Sequence, residues 1–318
     1  MYAYRRSALP SFAPRRRRRW LGWTIGVLVF LIAATPLAIS VYVGWNLTHP
    51  VRKALTTTPA SVGATFEEIQ FPSRIDHLTM KGWYLPAKSA STKAVVIAHG
   101  YKGNRIEDGA GALGTAKFLT EQGYNVLMFD FRASGESEGT TVTVGPMEKR
   151  DLAGAVDFVR SRGNQKVGLL GYSMGAGTAL QTAAEVPEVD AVVADSSMRD
   201  FKLYLQENMA YWTKLPDFPF TSIILAVMPT IIGAELKDLS PVSVAPQLAK
   251  KPMLLFTGDK DDAIPLSNSE AILAAYQKAG GSAGKLVVIP GAGHVKSNVV
   301  DQARYRQELT AFFGQSLK

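Results

Sequence analysis

The chain has 318 residues, 47% of them apolar and 19% charged, and it contains no cysteine. That length suffices for one large core, and the missing cysteines exclude disulfides, thiol catalysis and thiolate-bound metals. The net charge of +8 is not a nucleic-acid signature: seven of the 35 basic side chains (Arg5, Arg6 and Arg15–Arg19) lie in residues 1–19, which hold no acid, leaving 28 basic against 27 acidic residues elsewhere.

The amino terminus reads as a membrane address. Residues 1–19 form a basic segment, and from Trp20 to Val51 no residue carries a formal charge. Trp20–Trp45 is mostly apolar and exceeds the roughly 20 residues that a spanning helix needs. Trp20, Trp23, Tyr42 and Trp45 sit where amphipathic rings prefer the headgroup level. Pro36 is expected to kink the helix, which a membrane tolerates. A cleaved signal peptide is the alternative, with a cut after Ser40; its apolar core would run about 7–15 residues, and this one is longer. The expectation is a single-pass anchor over 20–45, with the arginines cytoplasmic and the following chain extracytoplasmic. Residues 46–65, polar and rich in Thr, Pro and Ala, read as a linker.

Beyond the linker, eight strand-like runs follow: Phe66–Phe71, Leu78–Leu85, Ala94–Ala98, Asn125–Phe131, Lys166–Gly171, Ala191–Asp195, Pro252–Thr257 and Lys285–Ile289. The first two alternate in polarity about a short turn and predict an antiparallel hairpin. The others are short continuous apolar runs, as buried parallel strands require. Helical stretches are expected at Gly111–Gln122, Pro146–Ser161, Met174–Glu185, Ser267–Lys278 and Ser297–Phe313. Alternating strand and helix implies an α/β domain over 66–318, with a mostly parallel eight-stranded sheet covered on both faces. Residues 199–245 break the rhythm, being far longer than an ordinary loop between helix and strand. Their apolar and aromatic content reads as a helical cap over a substrate pocket, or as an extra helix pair packed on the sheet.

Chemistry concentrates around Gly171-Tyr172-Ser173-Met174-Gly175, between a strand and a run of small helix formers. This order places a serine hydroxyl at the apex of a sharp turn. Serine needs a base, and the base an orienting acid. Of the four histidines, His49 falls in the linker, His77 in the hairpin turn and His99 at a strand end. His294, in a loop just after the last strand, is the expected base. The acid is expected after the strand at 252–257, where Asp259, Asp261 and Asp262 compete; Asp195, at another strand end, is a further rival.

These residues resemble the α/β-hydrolase superfamily, whose triad runs Ser, Asp or Glu, then His along the chain. The similarity extends over about Phe66–Phe313. Many relatives carry Gly-x-x-Asp-x-x-Val/Ile-Pro in the acid loop, and that register, through Gly258, Ile264 and Pro265, implies Asp261. The resemblance also implies that His99-Gly100-Tyr101 supplies one oxyanion donor, the Tyr101 amide, with the Met174 amide as the second. Asp130-Phe131-Arg132-Ala133-Ser134-Gly135-Glu136-Ser137 resembles a further family loop that braces the site.

The expectation is therefore a membrane-anchored, carboxylesterase-like serine hydrolase acting on a small-molecule or lipid-like acyl ester. Ser173, Asp261 and His294 form the triad, and Tyr101 and Met174 the oxyanion hole. Neither metal nor organic cofactor is needed, and no nucleic-acid partner is expected. A serine aminopeptidase of the same fold and a non-catalytic anchored binding module are the alternatives.

Overall fold

The computed structural model describes residue 3 and residues 15–318, with side chains from residue 20 onward. The basic segment at 1–19 therefore lies outside the described side chains. The first helix, α1 (Arg15–Thr48), is followed by the strands β1 (Glu67–Pro72), β2 (Thr79–Leu85) and β3 (Lys93–Ala98). Then come α2 (Ala112–Glu121), β4 (Asn125–Phe129), α3 (Glu148–Ser161), β5 (Lys166–Tyr172), α4 (Met174–Glu185) and β6 (Ala191–Asp195). The insertion holds α5 (Phe201–Thr213), α6 (Asp217–Ile232) and the single turn α7 (Pro241–Val244). The chain closes with β7 (Met253–Gly258), α8 (Ser267–Lys278), β8 (Gly284–Ile289), α9 (Ser297–Val300) and α10 (Gln302–Ser316).

One eight-stranded sheet has the order β1-β2-β4-β3-β5-β6-β7-β8. β1 and β2 form the expected antiparallel hairpin, and β2 also runs antiparallel to β4; every other pair is parallel. The central strands are buried along almost their whole length, which explains their continuous apolar runs. One face packs on α3, α4 and α8 through residues such as Leu152, Val156, Leu180 and Ile272. The other packs on α2 and α10 through Leu113, Leu119, Tyr305 and Phe313. A third apolar cluster (Phe201, Leu205, Met209, Ile224, Met228) lies mostly within the insertion and takes in Met198 and Ile264 from outside it.

Most boundaries shift by one or two residues, and two differ in kind. The helix expected over Ser297–Phe313 divides at Asp301, whose carboxylate accepts from the Arg304 amide at 3.0 Å and starts α10 afresh. The apolar helix does not stop at Trp45 but continues to Thr48, so the segment read as a linker begins inside it. Nor does the rest of that segment hang free. Arg52 donates to the carbonyls of Gly135, Ser137 and Gly139, and the carbonyls of Lys53 and Ala54 accept from Asn104 Nδ2. Polar composition marked these residues as solvated, whereas their partners lie 50 to 87 positions away along the chain.

α1 also contributes to the folded body. Ser40, Gly44 and Thr48 recur at four-residue spacing and are buried, and α1 packs along α6. Gly44 allows this approach, since a Cβ there would stand 3.0 Å from Ile231 Cδ1. From Trp20 to Thr48 the helix is long and apolar enough to cross a membrane or to act as a signal sequence.

Candidate active site

The strand-turn-helix at Ser173 is built by close backbone approach. Ser173 adopts φ 54° and ψ −116°, outside the regions an L-residue prefers, at the junction of β5 and α4. A Cβ on Gly175 would lie 2.3 Å from the Ala98 carbonyl and 2.6 Å from that of His99, so only glycine lets α4 sit against the end of β3. The Ser173 amide donates to the Asp195 carbonyl at 2.9 Å, tying the turn to β6.

His294 lies in the loop after β8, and its Nε2 is 2.9 Å from Ser173 Oγ. Its Nδ1 is 2.9 Å from Asp261 Oδ2 and 3.2 Å from Oδ1. The Asp261 carboxylate is buried and accepts from the Ala263 and Ile264 amides at 3.1 and 2.7 Å, which fixes its orientation. An ionised acceptor at Nδ1 keeps the proton on that nitrogen and leaves Nε2 facing the serine hydroxyl. Gly258, ending β7, brings the two loops together: a Cβ there would fall 1.9 Å from the Ala292 carbonyl, which also accepts from the Lys260 amide at 3.0 Å.

The rival carboxylates are engaged elsewhere. Asp259 accepts from the Gly291 amide at 2.6 Å and steadies the histidine loop. Asp262 is exposed. Asp195 accepts from the hydroxyls of Ser297 and Ser196 at 3.0 and 3.2 Å and makes no hydrogen bond to His294. His99 is structural: the Phe131 amide donates to its Nε2 at 3.0 Å, so Nδ1 carries the proton and donates to the Gly100 carbonyl at 2.7 Å. His49 stacks on Trp45, and His77 occupies the hairpin turn.

The amides of Tyr101 and Met174 donate to no backbone or side-chain acceptor among the described residues. Met174 is the first residue of α4, where amides lack intrahelical partners and the helix dipole favours negative charge. The loop carrying Tyr101 is braced by Glu107, which accepts from the Gly100 amide at 2.6 Å. Asp130 likewise accepts from the Arg105 backbone and guanidinium and from the Glu136 amide.

Glu107, Ser196 and Ser297 were not singled out from the sequence. Ser196 accepts from the Val295 amide at 3.1 Å, beside His294, and Ser297 donates to Asp195 at 3.0 Å. These pairs are 99 and 102 residues apart, so no local pattern announces them. Asp195-Ser196-Ser197 at a strand end was the one available hint.

Burial pushes the Asp195 carboxyl up to about 6; the Ser297 and Ser196 hydroxyls and His294 partly offset this, and Asp261 adds to it. Because the folded-state value lies above the unfolded one, near 3.9, its contribution to stability is full below about pH 4 and is lost as pH rises through about 6. The shift corresponds to a loss on the order of 3 kcal/mol. Thermal unfolding of the full chain in detergent between pH 4 and 7 is expected to show this fall, and Asp195→Asn to flatten it; an identical pH profile in the variant would refute the assignment.

Ser173 and His294 open into a cavity of about 900 Å³, counting its mouth. Its walls are Leu47 and Thr48 of α1, Val142 and Val144, and residues of the insertion including Leu205, Met209, Trp212 and Met228. Among the described residues no carboxylate, lysine or arginine side chain lines it. Among the described residues no cluster of three His, Asp or Glu is arranged to hold a metal ion.

With that geometry in view, comparison with known proteins is specific about the fold. Residues 93–227 match the family model described as the alpha/beta hydrolase fold. The uncharacterized protein YqkD of Bacillus subtilis is 26% identical over 300 residues, covering 91% of this chain and 95% of its own. The esterase Pf2001 of Pyrococcus furiosus superposes with a TM-score of 0.72 at 25% identity, covering 86% of this chain and 99% of the esterase. The acylaminoacyl peptidase of Pyrococcus horikoshii shares the fold, with a TM-score of 0.60 at 17% identity over 83% of this chain and 44% of the peptidase.

Proposed function

We propose, starting from the α/β-hydrolase fold that this chain has, that it is a membrane-anchored serine hydrolase of carboxylic esters whose acyl part is apolar or lipid-like. The observation that carries the reading is the unbroken row from Ser173 Oγ to His294 Nε2, 2.9 Å, and from His294 Nδ1 to Asp261 Oδ2, 2.9 Å. Ser173 Oγ attacks the acyl carbonyl as His294 takes its proton. Asp261 orients the ring and stabilises the imidazolium. The Tyr101 and Met174 amides receive the developing oxyanion, where each such donor contributes about 3–4 kcal/mol. The carbon–oxygen bond to the alcohol then breaks as His294 returns the proton to it. Water, activated by the same imidazole, releases the acid and restores Ser173.

Retention of α1 as a single-pass anchor, with the catalytic domain extracytoplasmic, belongs to the same proposal. It is supported by the length of the apolar run and by the arginines before it.

A serine aminopeptidase is the second reading, and the pocket lining argues against it. A substrate with a free α-ammonium needs an acidic or strongly accepting wall, because burying an unpaired charge costs several kcal/mol. Here the wall is aliphatic, aromatic and thioether, with the threonine and tyrosine hydroxyls its main polar groups besides Ser173 and His294. The full chain in detergent is expected to be labelled at Ser173 by a fluorophosphonate and to hydrolyse p-nitrophenyl acyl esters at least a hundredfold faster than aminoacyl p-nitroanilides. Preference for the anilides would select the peptidase, and failure of both labelling and turnover would leave the binding-module alternative.

A further inference from the structure

We propose that the last turns of α1 form a wall of the acyl-binding site, and that the substrate is a single-chain acyl amphiphile drawn directly from the bilayer. The inference rests on the ester-hydrolase reading above and adds the source of the substrate and the part that sets chain length.

Leu47 and Thr48, the last two residues of α1, line the same cavity as Ser173. They are held there from two sides. The Tyr101 hydroxyl donates to the Leu47 carbonyl at 2.5 Å, and the Val142 amide donates to the Thr48 carbonyl at 2.8 Å. Tyr101 also carries the amide assigned to the oxyanion, so one residue joins the helix end to the reacting centre.

The helix itself sets the depth. Trp20–Thr48 is 29 residues long, whereas about 20 cross the hydrocarbon. Tyr42 and Trp45 are the exposed aromatic residues near its carboxyl end, at 70% and 55% of their surface, and such rings settle at the headgroup level. Thr48 lies three residues beyond Trp45, about 4.5 Å along the axis. The cavity wall therefore stands at the headgroup boundary.

The cap packs against the same stretch of α1. α6 packs along α1, and its inner side chains Met228 and Ile232 reach the cavity. The end of α5 and the start of α6 expose Tyr211, Trp212 and Phe218, the last at 85% of its surface, on either side of Lys214. Aromatic rings beside a lysine are the residues of an interfacial contact. Trp212 serves both sides, since it lines the cavity and is 44% exposed. An occupant with its ester at headgroup depth and one apolar tail fits the geometry: the carbonyl meets Ser173, and the tail lies against Leu47, Met228 and Ile232. Burial of each methylene contributes roughly a fourfold gain in kcat/KM until the pocket is full.

The test uses the full chain reconstituted in phosphatidylcholine vesicles, with p-nitrophenyl esters from butyryl to hexadecanoyl. The dodecanoyl rate is expected to follow the surface mole fraction of ester when lipid is varied at constant bulk ester. Leu47→Trp should lower the dodecanoyl-to-butyryl ratio of kcat/KM at least tenfold, and Leu47→Ala should move the optimum to longer chains. The opposite directions of the two variants distinguish a wall from a general packing defect, and the wild-type dependence on mole fraction needs neither variant to fold. Butyryl turnover together with a dodecanoyl rate that follows bulk concentration, and an optimum unmoved by either variant, would overturn the inference and leave the ester reading intact. Turnover of no ester at all would overturn both.

Discussion

Asp261→Asn is expected to lower kcat about ten-thousandfold, and Asp195→Asn no more than about tenfold. The two carboxylates are both buried and both near His294, so proximity alone does not separate them. Hydrogen bonding does. Asp261 faces Nδ1 with both oxygens, while two amides hold its position. An amide side chain at 261 would keep the shape but present no charge to the imidazolium and would favour the wrong tautomer, a loss on the order of four powers of ten in triads of this kind. Asp195 touches Ser297 and Ser196 instead, so its replacement alters the support of the histidine loop. Asparagine keeps an oxygen that can accept from both hydroxyls, so only the charge is lost from these bonds, a difference of about 1 kcal/mol and less than a tenfold change in rate. Steady-state kcat for the two variants decides the matter: equal losses, or a larger loss at 195, would move the orienting role to the end of β6.

The contrast also shows where the sequence was legible. Ser173 could be read locally, because a turn that exposes a hydroxyl needs glycines on both sides and a strand and helix to hold it. All of these lie within a few residues. His294 followed because few histidines fall at the mouth of the sheet. Asp261 was different: residues 259, 261 and 262 are equally acidic, and only the family register separated them. The structure adds a physical reason, since the amides of Ala263 and Ile264 turn back onto 261 alone. What stayed hidden depends on chain segments meeting across the fold. The end of α1 reads in sequence as the fading of an apolar run into polar residues. Its contact with Tyr101 spans 54 positions. The two hairpin strands were visible by their alternation and the parallel ones by their continuous apolar runs, whereas the break at Asp301 was not, because a capping aspartate interrupts an apolar period without changing it.

Ser173→Ala and His294→Ala should each lower kcat by roughly a million-fold, and the double variant should lose no more than either alone. The reason lies in the 2.9 Å contact between Oγ and Nε2. If the hydroxyl reacts only as its proton passes to the ring, removing either partner removes the whole pathway, and the second substitution finds nothing left to lose. Independent contributions would instead multiply, driving the double variant below the rate of the uncatalysed reaction. A residual acceleration of about a thousandfold should survive in all three variants, because the Tyr101 and Met174 amides and the apolar pocket do not depend on the triad. Measured on a long-chain ester in vesicles, that residue isolates the part of catalysis that comes from holding the carbonyl against two fixed amides. Strict additivity of the two losses would mean that serine and histidine act in separate steps, and the proposed proton transfer between them would have to be abandoned.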